Sequence, residues 1–181
     1  MTNFKHISLL SYCRRPTMCL MILLLSYNSI GEGNEYNLKA MFVLNFIKYV
    51  EWPQSSNSIF TIAIVGESPL KENLLSMVSL KSNSVGPKIE IITVERNELK
   101  QCHILFIPAG KKMEEKDVVK FCQGKGILII TEGSKLTCNG AAINLLKLDN
   151  KIRFEIYQTQ AKIAGVKIAS KLLELATTVY P

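Results

Sequence analysis

Residues 60–80 read FTIAIVGESPLKENLLSMVSL. Phe60 to Val65 is a short apolar run rich in β-branched residues, which predicts a buried strand ending at Gly66. Ser68 is a good N-cap and Pro69 suits a first helical turn, so a helix is expected from about Pro69 to Leu80. A strand turning directly into a helix opens a β/α unit, and the alternation recurs downstream. Ile89 to Val94 and His103 to Ile107 read as a second and a third strand, with Asn97 to Lys100 in a short connection between them. Glu114, Glu115 and Asp117 place negative charge at the start of the next helix, which continues to Cys122. Gly126 then opens a fourth strand, Ile127 to Ile130.

Upstream, Tyr36 to Glu51 has apolar residues on most sides of a helical wheel and a narrow wet stripe of Asn37, Met41, Asn45 and Lys48, so a largely buried helix is expected. Trp52 and Pro53 end it, because proline removes a donor and pushes its predecessor out of the helical region. Gln54 to Ser58 is a loop. After Ser134 the pattern changes. Ala141 to Leu148 and Ile152 to Tyr157 read as a hairpin turned at Asp149 and Asn150, residues that tolerate positive φ. Ile152, Phe154 and Ile156 alternate with Arg153 and Glu155, predicting one dry face and one wet. A last helix is expected from about Gln160 to Val179, with one stripe of Ala161, Ala164, Ile168, Leu172, Leu175 and Val179 and a second of Val166, Ala169, Leu173 and Ala176. The fold class is α/β: a mostly parallel sheet flanked by helices, with a C-terminal antiparallel hairpin and a long C-terminal helix.

The first thirty residues have a different character. Lys5, Arg14 and Arg15 precede the apolar run Met18 to Leu25, and Ser29 and Gly31 follow it. A basic region, a short apolar region and a small-residue exit make a secretory signal peptide over residues 1–31, with the mature protein beginning near Glu32 as one domain, 32–181. The run is far shorter than the ~20 residues of a membrane span, so a retained, uncleaved anchor is the weaker alternative. Removing its three bases, with no acid before Glu32, takes the formal charge from +7 to +4. Interspersed Lys and Glu at that excess make a solvated surface and no nucleic-acid footprint. Export also excludes functions that consume nucleoside triphosphates or reduced nicotinamides, so no cofactor is expected.

Catalytic and metal chemistry find little support. The mature chain holds one histidine, His103, which opens a buried strand with no evident orienting acid. Cys102, Cys122 and Cys138 lack zinc spacing, and no metal site is expected. Gly124, Lys125 and Gly126 make a helix end, not a dinucleotide fingerprint. The chain therefore reads as a binding protein, not an enzyme. Two binding surfaces are candidates. A parallel sheet would gather Gly66, Glu67 and Ser68 with Gly110 and with Thr131, Gly133 and Ser134 at the carboxyl ends of its strands, where a small ligand would sit. The second stripe of the last helix, Val166, Ala169, Leu173 and Ala176, exceeds what one sheet face needs and offers a partner surface or a homodimer contact. Trp52 reads either as a partner anchor or as a cap on the core.

Several segments also line up in one order: AMFVLNFIKYVEWP at Ala40 to Pro53, IAIVGESP at Ile62 to Pro69, CHILFI at Cys102 to Ile107, Gly140 to Asn144, and Arg153 to Ile156 leading to KIASKLLELA. In these the chain resembles the YfiR family of exported bacterial proteins across essentially all of the mature sequence. The resemblance implies a periplasmic regulator in cyclic di-GMP signalling that represses an inner-membrane diguanylate cyclase by binding its periplasmic sensor domain, with redox state as one input. A soluble periplasmic receptor for a small ligand at the strand ends is the alternative. Family members commonly carry a Cys in the first strand where this chain has Ala63, so the usual disulfide to the Cys before His cannot form. Cys102 opens a strand and Cys122 ends the helix returning beside it, leaving two readings: a Cys102 to Cys122 bridge, or buried free thiols acting as small hydrophobes.

Overall fold

The apolar strands at the centre of the chain are buried on both faces, and the helices on either side meet that need. The computed structural model describes residues 31–53, 59–80, 87–95, 98–110, 115–133 and 140–181. The signal peptide read over residues 1–31 lies outside them except for Gly31, as do Ser134, Cys138 and the loop Gln54 to Ser58. The strands and the core belong to the compact unit Glu35–Pro181.

In chain order the elements are α1 (Gly31–Tyr49), β1 (Val50–Glu51), β2 (Ile59–Val65), α2 (Leu70–Leu80), β3 (Lys88–Val94), β4 (Ile104–Ile107), α3 (Glu115–Cys122), β5 (Leu128–Glu132), β6 (Ile143–Leu148), β7 (Lys151–Tyr157), α4 (Gln158–Ala164), β8 (Lys167–Ile168), α5 (Ser170–Leu175) and β9 (Thr178–Tyr180). Seven strands form one sheet in the order β3-β2-β4-β5-β6-β7-β9, and β1 pairs separately with β8. From β3 to β6 every neighbour is parallel, while β7 returns antiparallel to β6 through Asp149 and Asn150, at φ 49 and 57.

Successive residues of the central strands serve opposite cores. Ile62, Ile64, Ile104, Phe106, Leu128 and Ile130 join Val43 and Phe46 of α1 and Leu70 and Leu74 of α2. Ala63, Val65, Leu105, Ile107 and Ile129 join Val118 and Cys122 of α3 on the other side. Burial on both faces is why these strands read as continuous apolar runs. Phe42, Phe46 and Phe154 pack as an aromatic trio that seats α1 on β7. The wet stripe of α1 is confirmed, since Asn37, Met41, Asn45 and Lys48 are all exposed.

Three expectations are corrected. The long C-terminal helix does not form. Gly165 lies at φ 83, and the bonds Gly165 N–H to Lys162 O and Val166 N–H to Ala161 O make a Schellman motif that ends α4. The chain continues as β8, α5 and the edge strand β9. The two stripes therefore never share one helix, and Val166 of the second is buried in the core. Next, β5 runs to Glu132, so Thr131 belongs to the sheet instead of the turn after it. Last, Glu155 is buried although its strand neighbour Arg153 is exposed.

Gly126 shows how tightly the unit closes at the strands' amino ends. Its φ is +69, a Cβ there would lie 2.4 Å from Pro53 Cγ, and its N–H donates to Ala164 O. Gly124 has a similar φ, +67, but open space around it. Gly124→Ala should therefore cost about 1 kcal/mol through backbone strain alone, and Gly126→Ala about 2 to 4 kcal/mol through strain plus overpacking. Urea denaturation of the two variants side by side measures the difference.

Candidate functional site

α1 carries Lys39 on its buried side, 3% exposed, and an ammonium in that position needs anions. Two reach it: Glu35, one turn earlier, and Glu132 at the carboxyl end of β5. The Tyr36 ring lies 4.3 Å from the ammonium. Lys147 of β6 pairs with the other oxygen of Glu35 at 2.7 Å, and Ala109 N–H approaches the second oxygen of Glu132 at 3.5 Å. Two cations and two carboxylates thus close a neutral network from α1 to β5 and β6. Burial by itself would lower the Lys39 ammonium, but its hydrogen bonds to Glu132 and Glu35 outweigh this and hold it above its ordinary value. Glu35 is held low, first by Lys147 and then by Lys39.

Beside this network lies a second buried polar group. Thr131 Oγ1 donates to Asn144 Oδ1 at 3.1 Å, and Asn144 Nδ2 donates to Gly133 O at 3.2 Å. Glu155 accepts from the Tyr157 hydroxyl at 3.2 Å and the Tyr180 hydroxyl at 3.4 Å, and those two rings stack at 4.6 Å. β5, β6, β7 and β9 are joined across the sheet by these side chains.

The described strand-end residues proposed for a ligand, all but Ser134, share one edge. The order β3-β2-β4 places a topological switch point between the carboxyl ends of β2 and β4. Gly66 there donates to Val94 O at 2.9 Å, and Ser68 Oγ accepts the first amide of α2, Leu70 N–H, at 3.3 Å. Glu67 and Gly110 are exposed, Thr131 is buried, and Gly133 is half-buried. The internal Lys39–Glu132 pair occupies the β5 portion of this edge.

The proposed partner-binding residues separate. Val166 and Leu173 line one open groove of about 340 Å³ with Ala161, Ile168, Gln158, Lys162 and Lys167. Ala176 lines another, about 390 Å³, with Leu148, Lys151, Arg153 and Leu175. Ala169 is half-buried and ties β8 to α1 through its N–H to Tyr49 O at 2.9 Å. Trp52 caps the core: its ring packs on Phe60 at 5.0 Å and its N–H donates to Ile47 O at 3.3 Å.

The thiols and the histidine are not poised as nucleophile and base. Cys102 and Cys122 are buried free thiols in one core cluster. Burial, and for Cys102 also the charge of Cys122, pushes both up to about 12. His103 Nδ1 accepts Thr61 N–H at 3.0 Å, so that nitrogen is occupied by backbone. Among the described residues no group of three or more His, Cys, Asp or Glu side chains could hold a metal ion.

The YfiR/HmsC-like family model matches residues 36–177. The chain belongs to this family. Membership suggests a regulator of the diguanylate cyclase system with a partner in that system, a regulatory rather than catalytic role, and the periplasm as its place. No helix among the described residues is long and apolar enough to cross a membrane. A search of curated proteins returned no match. Among solved structures, the ABC domain in complex with L-Trp from Streptococcus pneumonia aligns at 14% identity and a TM-score of 0.43, covering 66% of this chain and 55% of that one. The chain thus spans about half the length of that structure.

The sequence reading missed the Lys39 network, although a signal was present: Lys39 lies off the wet stripe of α1, where a cation must find a carboxylate. Lys39→Met should destabilise the protein by about 3 to 5 kcal/mol by leaving Glu132 buried and unpaired, and adding Glu132→Gln should recover most of that loss. Because the folded pKa of Glu35 is depressed, its contribution is present above the ordinary carboxylate pKa and lost as pH falls through the folded value. Urea denaturation of wild type, both variants and Glu35→Gln across the acid range checks the magnitude and the sign.

Proposed function

We propose that the protein is an exported periplasmic regulator that represses an inner-membrane diguanylate cyclase, or a related signalling protein, by docking on its periplasmic sensor domain. The observation that carries this reading is the family match through residues 36–177, which takes in nearly all of the folded unit. Binding is favoured over catalysis because the buried Lys39 and Glu132 pair with each other and with half-buried Glu35, and the buried Glu155 is held by Tyr157 and Tyr180.

The groove at Val166 and Leu173 is the docking surface in this reading. Its floor of Ala161, Val166, Ile168 and Leu173 is apolar and its rim carries Lys162 and Lys167. An amphipathic partner segment with acidic residues beside its apolar anchors fits both features. A second copy of the chain is the competing occupant, which would make a homodimer. Leu173→Glu places a charge on the floor, where desolvation costs several kcal/mol and abolishes a modest complex. Lys162→Glu, at an exposed rim position, should slow association and weaken its salt dependence without disturbing the fold.

Affinity capture from solubilised inner membranes, with cyclic di-GMP measured in a deletion strain, tests the proposal. The expected result is a cyclase or sensor protein in the capture, lost with Leu173→Glu and reduced with Lys162→Glu, and a raised messenger on deletion. A capture free of membrane signalling proteins together with an unchanged messenger overturns it and favours the small-ligand receptor at the strand ends.

Redox input through Cys102 and Cys122 belongs to the same proposal, supported by their shared core cluster: the free thiols are the reduced state, and exchange with an oxidant disulfide, which leaves as a dithiol, takes up the two electrons and two protons when they bridge. Non-reducing peptide mapping of periplasmic protein should recover Cys102 linked to Cys122, and two unlinked peptides would remove the redox arm. In the bridged protein Cys102→Ser should cost about 2 to 4 kcal/mol.

A further inference from the structure

His103 sits where β4 begins, and three backbone bonds fix it. Its N–H donates to Thr61 O at 2.9 Å, its carbonyl accepts Leu128 N–H at 2.8 Å, and its ring nitrogen Nδ1 accepts Thr61 N–H at 3.0 Å. The last of these needs a bare Nδ1, so the neutral ring carries its proton on Nε2. The ring stacks on Phe60 at 4.5 Å and 22°, and Trp52 closes over both, 5.0 Å from Phe60 and 6.3 Å from His103. Trp52 directly follows β1. Val50 and Glu51 of β1 pair with Ile168 and Lys167 of β8, which line the docking groove, and Lys167 also bonds the Glu51 carboxylate at 3.1 Å. A short covalent and packed path therefore joins the imidazole to the groove wall.

We propose that His103 is an acid-sensitive latch: a proton on Nδ1 sets donor against donor at Thr61, releases Trp52 from the Phe60–His103 stack, and loosens the β1–β8 wall of the groove. This rests on the groove being the docking surface, and it assigns that surface a regulator, the proton, in a compartment whose pH follows the surroundings. Among the described residues no ion pair compensates an imidazolium at this ring. The ring meets Phe60 and Thr61 N–H of β2 and Trp52 of the segment after β1. Of the neighbouring ionisable groups, Cys102 is a neutral thiol, Glu51 is turned to Lys167, and Lys125 lies over the Phe121 ring at 4.1 Å. No described carboxylate pairs with the imidazole. Stacking on Phe60 returns something to a cation but does not replace the lost acceptor. Burial holds the folded pKa below the ordinary histidine value, so the latch is fully closed above the unfolded value of about 6.5 and opens as pH falls through the folded one.

Trp52 is the only tryptophan in the chain, so its emission reports the latch directly. The full chain, titrated from about pH 7.5 to about pH 4.5, should show one change in Trp52 emission with its midpoint below about 6.5 and no change in far-UV circular dichroism. His103→Asn, whose Oδ1 can accept Thr61 N–H without titrating, should remove the change. Hydrogen exchange, corrected for its intrinsic pH dependence, should show peptides spanning β1 and β8 losing protection on acidification through the same range as the emission change. His103→Asn should abolish that loss as well. Should the variant misfold, nitrogen NMR of the wild-type imidazole reports the tautomer, and a proton on Nδ1 at neutral pH overturns the latch. A flat emission curve, an unchanged transition in His103→Asn, or unaltered protection at β1 and β8 overturns it too. All of these readings use the isolated protein, so failure to capture a membrane partner leaves them intact and counts against the docking proposal alone.

Discussion

A cation under the first helix is the constraint on which the rest of this structure depends. Lys39 cannot be solvated where it lies, so α1 must settle with Glu132 of β5 against the ammonium and Glu35 beside it. At 4 Å and an effective dielectric near 20 a unit pair is worth about 4 kcal/mol, comparable with the cost of desolvating the ions, so the network specifies position more than it adds net stability. That position has consequences along the helix. With Glu35 and Lys39 held against β5 and β6, α1 delivers Phe42 and Phe46 to Phe154 and brings its last residues to β8.

At the other end of the chain a single glycine shapes a surface. Had the chain continued as a helix past Ala164, Val166 and Leu173 would have lain two turns apart on a single face. Gly165 turns the chain instead, Val166 folds back over Ala161, and β8 leaves in a new direction to meet β1. The groove is lined from α4, β8 and α5, three elements that a continuous helix would have merged into one. Its rim is cationic for a local reason, since Lys162 and Lys167 flank the turn on either side.

Much of the fold was legible because its signals are local. Apolar runs buried on both faces, Ser68 ahead of Pro69, and Asp149-Asn150 between two strands each declare one element, and the structure has all of them. The long C-terminal helix is where periodicity misleads: two apolar stripes run through Ala164-Gly165-Val166, a sequence that also spells a helix end. Glu155 and Thr131 depart from expectation for a different reason. Their burial depends on Asn144, Tyr157 and Tyr180 arriving from other strands, and period-two alternation carries no information about such partners. The surface residues read from the sequence do not all lie together. Val166 and Leu173 do share a groove, whereas Ala176 lines another and Trp52 serves the core.

Trp52 and Pro53 tie these observations together. In sequence both read as a helix end, and in the fold each also fills a space at the amino ends of the strands. Pro53 lies over Gly126, which has no Cβ to obstruct it, and Gly126 in turn bonds the last carbonyl of α4. Trp52 covers Phe60 and His103 while its indole N–H satisfies a carbonyl near the end of α1. Two adjacent residues thus connect the end of α1, the turn before β5, the end of α4 and the one histidine of the folded unit. Close-packed interiors pass a displacement on instead of absorbing it, because a shifted ring has no void to enter. A change at His103 is therefore mechanically placed to reach the groove, while the Lys39 network at the carboxyl ends of the strands holds α1 at Glu35 and Lys39.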